Sequence, residues 1–90
     1  MSKRTDKIPE FTLRKQTFVA RLSVHDEAYR AVLLDNQCDT LADCFDTIIA
    51  HNNFGLPGFR LRIKPGFILP AEVQPLALML FRECMGTFAL

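Results

Sequence analysis

The chain of 90 residues has no tryptophan, one tyrosine, four glycines and three cysteines. The cysteines are odd in number and form no C-x-x-C or H-x-x-x-H spacing, which argues against a disulfide framework and a preformed metal site. Neither a glycine-rich phosphate loop nor a G-x-S-x-G motif is present. We therefore expect a protein that is not an enzyme and that uses no metal or cofactor.

Long hydrophobic runs are also missing. The sequence contains no stretch of 18 apolar residues, and its first ten residues, MSKRTDKIPE, lack the apolar core of a signal peptide. Unpatterned cysteines suit a reducing compartment. The expected location is the cytoplasm, without a membrane partner.

Apolar residues are abundant for so short a chain. Hydrophobic residues make up 49% of the sequence and include eight phenylalanines. A domain of this size buries only about two-thirds of its unfolded surface. We therefore expect the domain to form a homodimer or a tight complex with a partner. That domain is expected to span residues 11–90. Residues 1–10, which are mostly polar and charged, are expected to be a flexible basic arm.

Charge is sorted along the chain. Residues 1–22 have a net charge of +4, residues 24–53 have −5, and residues 59–64 add three basic side chains. The near-neutral total therefore hides two basic segments and one acidic segment. Such a field bears on partners rather than on fold.

Two segments show the two-residue period of a strand with one buried face. Within residues 11–23, Phe18, Ala20 and Leu22 would lie on one face of a strand. Thr17, Val19 and Arg21 would then lie on the other face. In residues 59–64, FRLRIK, apolar and basic residues alternate in the same way. Pro65 and Gly66 then predict a turn.

Three segments show helical spacing. A first helix is predicted over 26–36, a polar break over 35–40, and a second helix over 40–51. A third helix is predicted to begin at Pro70, with Pro75 in its first turn. The expected fold class is α+β, a small domain with two short strand regions and three helices. Because the third helix is apolar almost all round, we expect a subunit interface there, formed by Leu78, Met79, Phe81 and Met85.

The segments TFVARLS, AYRAVLL and DTLADCFDTIIAHN occur in the predicted order strand, helix, helix. In this order, residues 17–53 resemble the ribbon-helix-helix family of dimeric DNA-binding repressors. The resemblance implies that two chains pair their strands into a ribbon that lies in the major groove. It implies that Thr17, Val19 and Arg21 face the DNA, that the backbone near Thr40 meets a phosphate, and that the basic residues 1–15 follow the DNA backbone.

The basic residues admit two interpretations. In the first interpretation, the protein is a DNA-binding regulator that contacts DNA through its basic segments. Besides Thr17, Val19, Arg21 and Thr40, the contact residues would then be Arg14, Lys15, Arg60, Arg62 and Lys64. The alternation in residues 59–64 is also typical of an exposed strand edge protected by charge. The alternative function is therefore a small protein-binding inhibitor or adaptor, which would act through its acidic helices or its apolar third helix.

Overall fold

The first element is a helix and not the predicted strand. The computed structural model describes residues 9–51 and 53–90, in which residues 11–23 belong to helix α1, Pro9–Ser23. Phe11, Phe18 and Leu22 are its buried side chains, and their spacings of seven and four residues place them on one helix face. Residues 1–8 of the predicted arm lie outside the described residues, whereas Pro9 and Glu10 begin the helix.

The next segment is helical, as predicted. A 3₁₀-helix, Asp26–Tyr29, runs into helix α2, Arg30–Asp35. The predicted break follows it, with Gln37 in the left-handed region at φ 55°. Asn36 then ties this break to a distant loop, because its side-chain amide donates to the Ile68 carbonyl at 3.0 Å and accepts from the Ile68 N–H at 2.9 Å.

The predicted helix over 40–51 is wrong. Only a single 3₁₀-helix forms, Leu41–Cys44, and strand β1, Phe45–His51, follows directly. The Asp43 carboxylate accepts a hydrogen bond from the Thr40 N–H at 3.2 Å, which caps this single turn. The β-branched run from Thr47 to Ile49 favours the strand.

The strand over 59–64 is confirmed as strand β2, Pro57–Ile63. It pairs with β1 in an antiparallel hairpin, with Phe45 opposite Ile63 and Ile49 opposite Phe59. Gly55, at φ 78°, supplies a left-handed residue in the connection. The predicted turn at Pro65–Gly66 is closed by a hydrogen bond from the Phe67 N–H to the Lys64 carbonyl at 3.2 Å.

The third helix is confirmed, with a start three residues later than predicted. Helix α3, Val73–Met85, carries Pro75 in its first turn. Its buried residues recur at helical spacing and pack against α1: Val73, Ala77, Leu80, Phe81, Cys84 and Met85. The Phe18 and Phe81 rings meet edge to face with centroids 5.6 Å apart, which joins the two helices at the centre of the core.

The C-terminal residues lie along the hairpin. The Leu90 N–H donates to the Phe59 carbonyl at 3.0 Å, and Ala89 forms a parallel bridge to Phe59. The Phe59 ring also stacks on Phe11 of α1 with centroids 3.6 Å apart. Phe59 therefore joins the hairpin to α1 and to the end of the chain.

The described residues thus form an α+β domain with three α-helices and one two-stranded antiparallel sheet, which confirms the expected fold class. Two predicted assignments are exchanged within it, since 11–23 is helical and 45–51 is a strand. Among the described helices, none has both the length and the apolar character needed to cross a bilayer.

Candidate nucleic-acid interface

The hairpin presents two faces of different chemistry. Phe59, Leu61 and Ile63 of β2 pack in or against the hydrophobic core. The residues between them, Arg60 and Arg62, are exposed on the opposite face. Two guanidinium groups therefore project from the same outward side of a two-stranded antiparallel ribbon.

The cross-strand neighbours of the two arginines differ. Arg62 lies opposite Asp46 and forms an ion pair with it, Nη2 to Oδ2 at 3.2 Å. Arg60 lies opposite Ile48 and has no ion pair among the residues that the structure describes. The Arg62 and Asp46 side chains are 52% and 34% exposed. Such a pair is worth about 0–1 kcal/mol, so Arg62 can exchange Asp46 for another anion at little cost.

The basic and acidic segments of the sequence fall on different elements of the fold. Helix α1 and residues 45–64 together carry six basic and two acidic side chains, whereas residues 24–44 carry one basic and five acidic side chains. The hairpin therefore belongs to the basic part of the domain.

Two of the predicted DNA contacts on α1 are engaged within the chain. Arg14 pairs with Glu10, Nη2 to Oε2 at 2.7 Å, and lies 5.8 Å from the Phe88 ring centroid. Arg21 pairs with Glu83 of α3, Nη1 to Oε1 at 2.9 Å, and this hydrogen bond raises the pKa of Arg21. The prediction that Arg21 faces DNA from a ribbon required residues 11–23 to form a strand. Because these residues are helical, that prediction is wrong. Arg14 therefore connects α1 to Phe88 near the C-terminus, and Arg21 connects α1 to α3.

Four other predicted contacts meet at one cleft. Lys15, Val19, Thr40 and Lys64 help to line an open cleft of about 350 Å³ between α1 and the start of the hairpin. The same cleft contains Asp43 and Asp46, so its charge is mixed. Because the two carboxylates offset the two lysines, the cleft does not favour binding of several phosphate groups.

Thr17, the remaining predicted contact, lies on helix α1 and not on a ribbon. Its hydroxyl donates to the Leu13 carbonyl at 3.0 Å within that helix. Of the nine predicted contacts, the structure therefore brings only Arg60 and Arg62 together on one exposed ribbon face.

The predicted subunit interface is divided between core and surface. Phe81 and Met85 are fully buried in the core of the single chain, so they are not available to a second subunit. Leu78 and Met79 are exposed in part. The apolar character of α3 arises because residues of both α1 and β2 pack against it within one chain.

Two of the three cysteines are neighbours. The Sγ atoms of Cys38 and Cys44 lie 3.2 Å apart, although the sequence suggested no pairing. Burial, and then the hydrogen bond with Cys38, raises the pKa of the Cys44 thiol to about 12. Within residues 9–51 and 53–90, no three His, Cys, Asp or Glu side chains are grouped to hold a metal ion.

Sequence reasoning missed the strand that completes the ribbon. Strand β1 places Asp46 and Ile48 beside the two arginines. The available signal was the β-branched run Thr47, Ile48 and Ile49 in β1. A connection of five residues that contains Gly55 then leads from β1 to β2.

Comparison of the chain with protein-family models, curated proteins and solved structures gave no match.

Proposed function

We propose that this protein is a non-enzymatic DNA-binding regulator that uses the outward face of the β1–β2 hairpin. One observation carries the proposal: Arg60 and Arg62 project side by side from a two-stranded antiparallel ribbon. A ribbon of this width fits the major groove of B-DNA. An arginine can donate two hydrogen bonds to a guanine edge or to a phosphate.

Three further features support the proposal. The basic part of the domain includes the ribbon, which favours the approach of a polyanion in the correct orientation. The sequence before α1 adds Lys3, Arg4 and Lys7 to the same positive total. The cysteines are free thiols, which suits a cytoplasmic protein. The proposal does not require the ribbon-helix-helix arrangement, because the ribbon is formed within one chain.

The proposal predicts a different effect for arginines in the two parts of the domain. We expect Arg60→Ala to weaken binding to duplex DNA and to make the log–log salt dependence shallower by about 0.9, the slope associated with one phosphate. Arg30→Ala is the matched control, because Arg30 is an exposed arginine in the acidic segment, and its ion-pair partner among residues 9–51 and 53–90 is Glu27 at 3.8 Å. It should leave affinity and slope unchanged. Fluorescence polarisation with labelled duplex across a salt series measures both quantities.

Two outcomes of that titration contradict the proposal. One is wild-type protein that does not bind duplex DNA at low salt. The other is equal loss of affinity in Arg60→Ala and Arg30→Ala, which would indicate nonspecific attraction without a ribbon contact.

A second candidate, capture of a basic protein partner, rests on a different surface. Leu34 and Ile68 are 73% and 84% exposed, and the hydrogen bonds of Asn36 hold their two segments together. The exposed carboxylates of Asp35 and Asp39 belong to the same acidic segment. An apolar centre with acidic neighbours suits a partner with an apolar and basic surface. This surface becomes the leading candidate if the wild-type protein does not bind DNA.

A further inference from the structure

Cys38 and Cys44 are placed for a reaction between their side chains. Cys38 lies in the break after α2, and Cys44 ends the 3₁₀-helix before β1. Their Sγ atoms are 3.2 Å apart, and a disulfide bond of about 2.05 Å requires an approach of only about 1.1 Å. Only five residues separate the two cysteines, and three of them, Leu41 to Asp43, belong to the 3₁₀-helix.

The two thiols differ in accessibility. Cys38 is half-buried and lines a shallow surface pocket with Asp26 and Asp39, so a small reagent can reach it. Cys44 is fully buried, and its only thiol neighbour among the described residues is Cys38. Any reagent must therefore meet Cys38 first.

We propose that Cys38 and Cys44 form a reversible oxidation site, in which a low-molecular-weight disulfide such as oxidised glutathione converts the thiol pair into an intrachain disulfide. This inference is independent of the proposed DNA-binding function.

The reaction balances in two thiol–disulfide exchanges. The Cys38 thiolate attacks one sulfur of oxidised glutathione, the glutathione S–S bond breaks, and one glutathione thiolate leaves. The Cys44 thiolate then attacks the Cys38 sulfur of the mixed disulfide, and the second glutathione thiolate leaves. The two protons lost by the cysteines are taken up by the two glutathione thiolates. The protein loses two electrons, and oxidised glutathione gains them.

The order of the two steps follows from the environment of Cys44. Its raised pKa and its burial make it a poor first nucleophile. In the second step it faces a sulfur that is already in contact with it, so the reaction is intramolecular and the low thiolate fraction is offset by proximity. Cys84 lies on α3, where its sulfur contacts the Arg21 guanidinium of α1 at 3.9 Å and no other thiol of the described residues.

The cross-link would join two parts of the domain. It would connect the break after α2 to the residue that immediately precedes β1.

The test uses the full chain incubated under native conditions in buffers with increasing ratios of oxidised to reduced glutathione. Remaining thiols are alkylated, and cleavage before Asp39 and Asp43 separates the two cysteines into different peptides. We expect mass spectrometry to show these two peptides joined by a disulfide, with Cys84 alkylated. Dithiothreitol should reverse the link.

Three variants make the result specific. Cys38→Ser should give no intrachain disulfide, and Cys44→Ala, which keeps the buried site apolar, should stop at the mixed disulfide on Cys38. Cys84→Ser is the matched control and should oxidise like the wild type. The inference is overturned if folded wild-type protein accumulates only the mixed disulfide, if Cys84 enters the link, or if both cysteines stay reduced at every ratio.

Discussion

Phe81→Ala is expected to lower the free energy of unfolding by about 3–5 kcal/mol. The Phe81 side chain is fully buried, and its ring packs edge to face on Phe18. Truncation leaves a cavity between α1 and α3 and removes this aromatic contact. Because small domains have stabilities of only about 5–15 kcal/mol, the loss is a large part of the total. Urea unfolding followed by circular dichroism measures it.

Met79→Ala is the matched control for this prediction. Met79 lies two residues earlier on the same helix, but its side chain is 49% exposed. Its truncation should cost about 1 kcal/mol or less. Equal losses of stability in the two variants would mean that Phe81 does not lie in the core of the single chain. Phe81 would then be assigned to a subunit interface, as the sequence predicted.

Gly58→Ala is expected to detach the end of the chain from the hairpin. A β-carbon at position 58 would lie 2.6 Å from Leu90 Cγ and 2.8 Å from the Phe88 carbonyl oxygen. The second contact is with backbone, so a side-chain rotation cannot relieve it. Overpacking of this kind costs about 1–3 kcal/mol.

Hydrogen exchange measures this effect at one amide. The Leu90 N–H, which donates to the Phe59 carbonyl in the wild type, should lose its protection in Gly58→Ala, while amides in the centre of α3 remain protected. Gly55→Ala is a useful comparison, because no atom lies within 4 Å of an added β-carbon there and only its backbone at φ 78° is strained. Unchanged protection of Leu90 in Gly58→Ala would show that the C-terminal residues do not pack against β2.

The sequence predicted those elements whose pattern had only one reading. Helix α3 was predicted because its apolar residues recur at helical spacing after a start that contains prolines. Strand β2 was predicted because Arg60 and Arg62 alternate with apolar residues. In both segments, local pattern and tertiary packing favour the same structure.

The errors occurred where two periods fitted the same residues. Phe18, Ala20 and Leu22 fit a strand, but Phe11, Phe18 and Leu22 fit a helix, and the core of the chain uses the second set. Residues 41–49 fit a helix, but pairing with β2 gives residues 45–51 a strand ladder that local spacing cannot reveal. Contacts between distant segments decided both cases.

The same limits apply to the candidate site. The outward direction of Arg60 and Arg62 followed from their alternation, so it could be predicted. The ion pair of Arg21 could not, because Glu83 approaches Arg21 only through the packing of α1 on α3. The ion pair of Arg14 with Glu10 could not either, because it requires a helix where a strand was predicted. The proximity of Cys38 and Cys44 was also hidden, since it depends on a single 3₁₀ turn where a longer helix was expected.

The central claim, that the outward face of the hairpin binds DNA, is tested most directly by NMR titration of isotopically labelled protein with a short duplex. We predict that the largest shift changes occur at the side-chain N–H groups of Arg60 and Arg62 and at the backbone amides of β1 and β2. Leu34 and Ile68, on the opposing candidate surface, should show little change. Shifts concentrated at Leu34 and Ile68, or no shifts at Arg60 and Arg62 at saturating DNA, would contradict the claim.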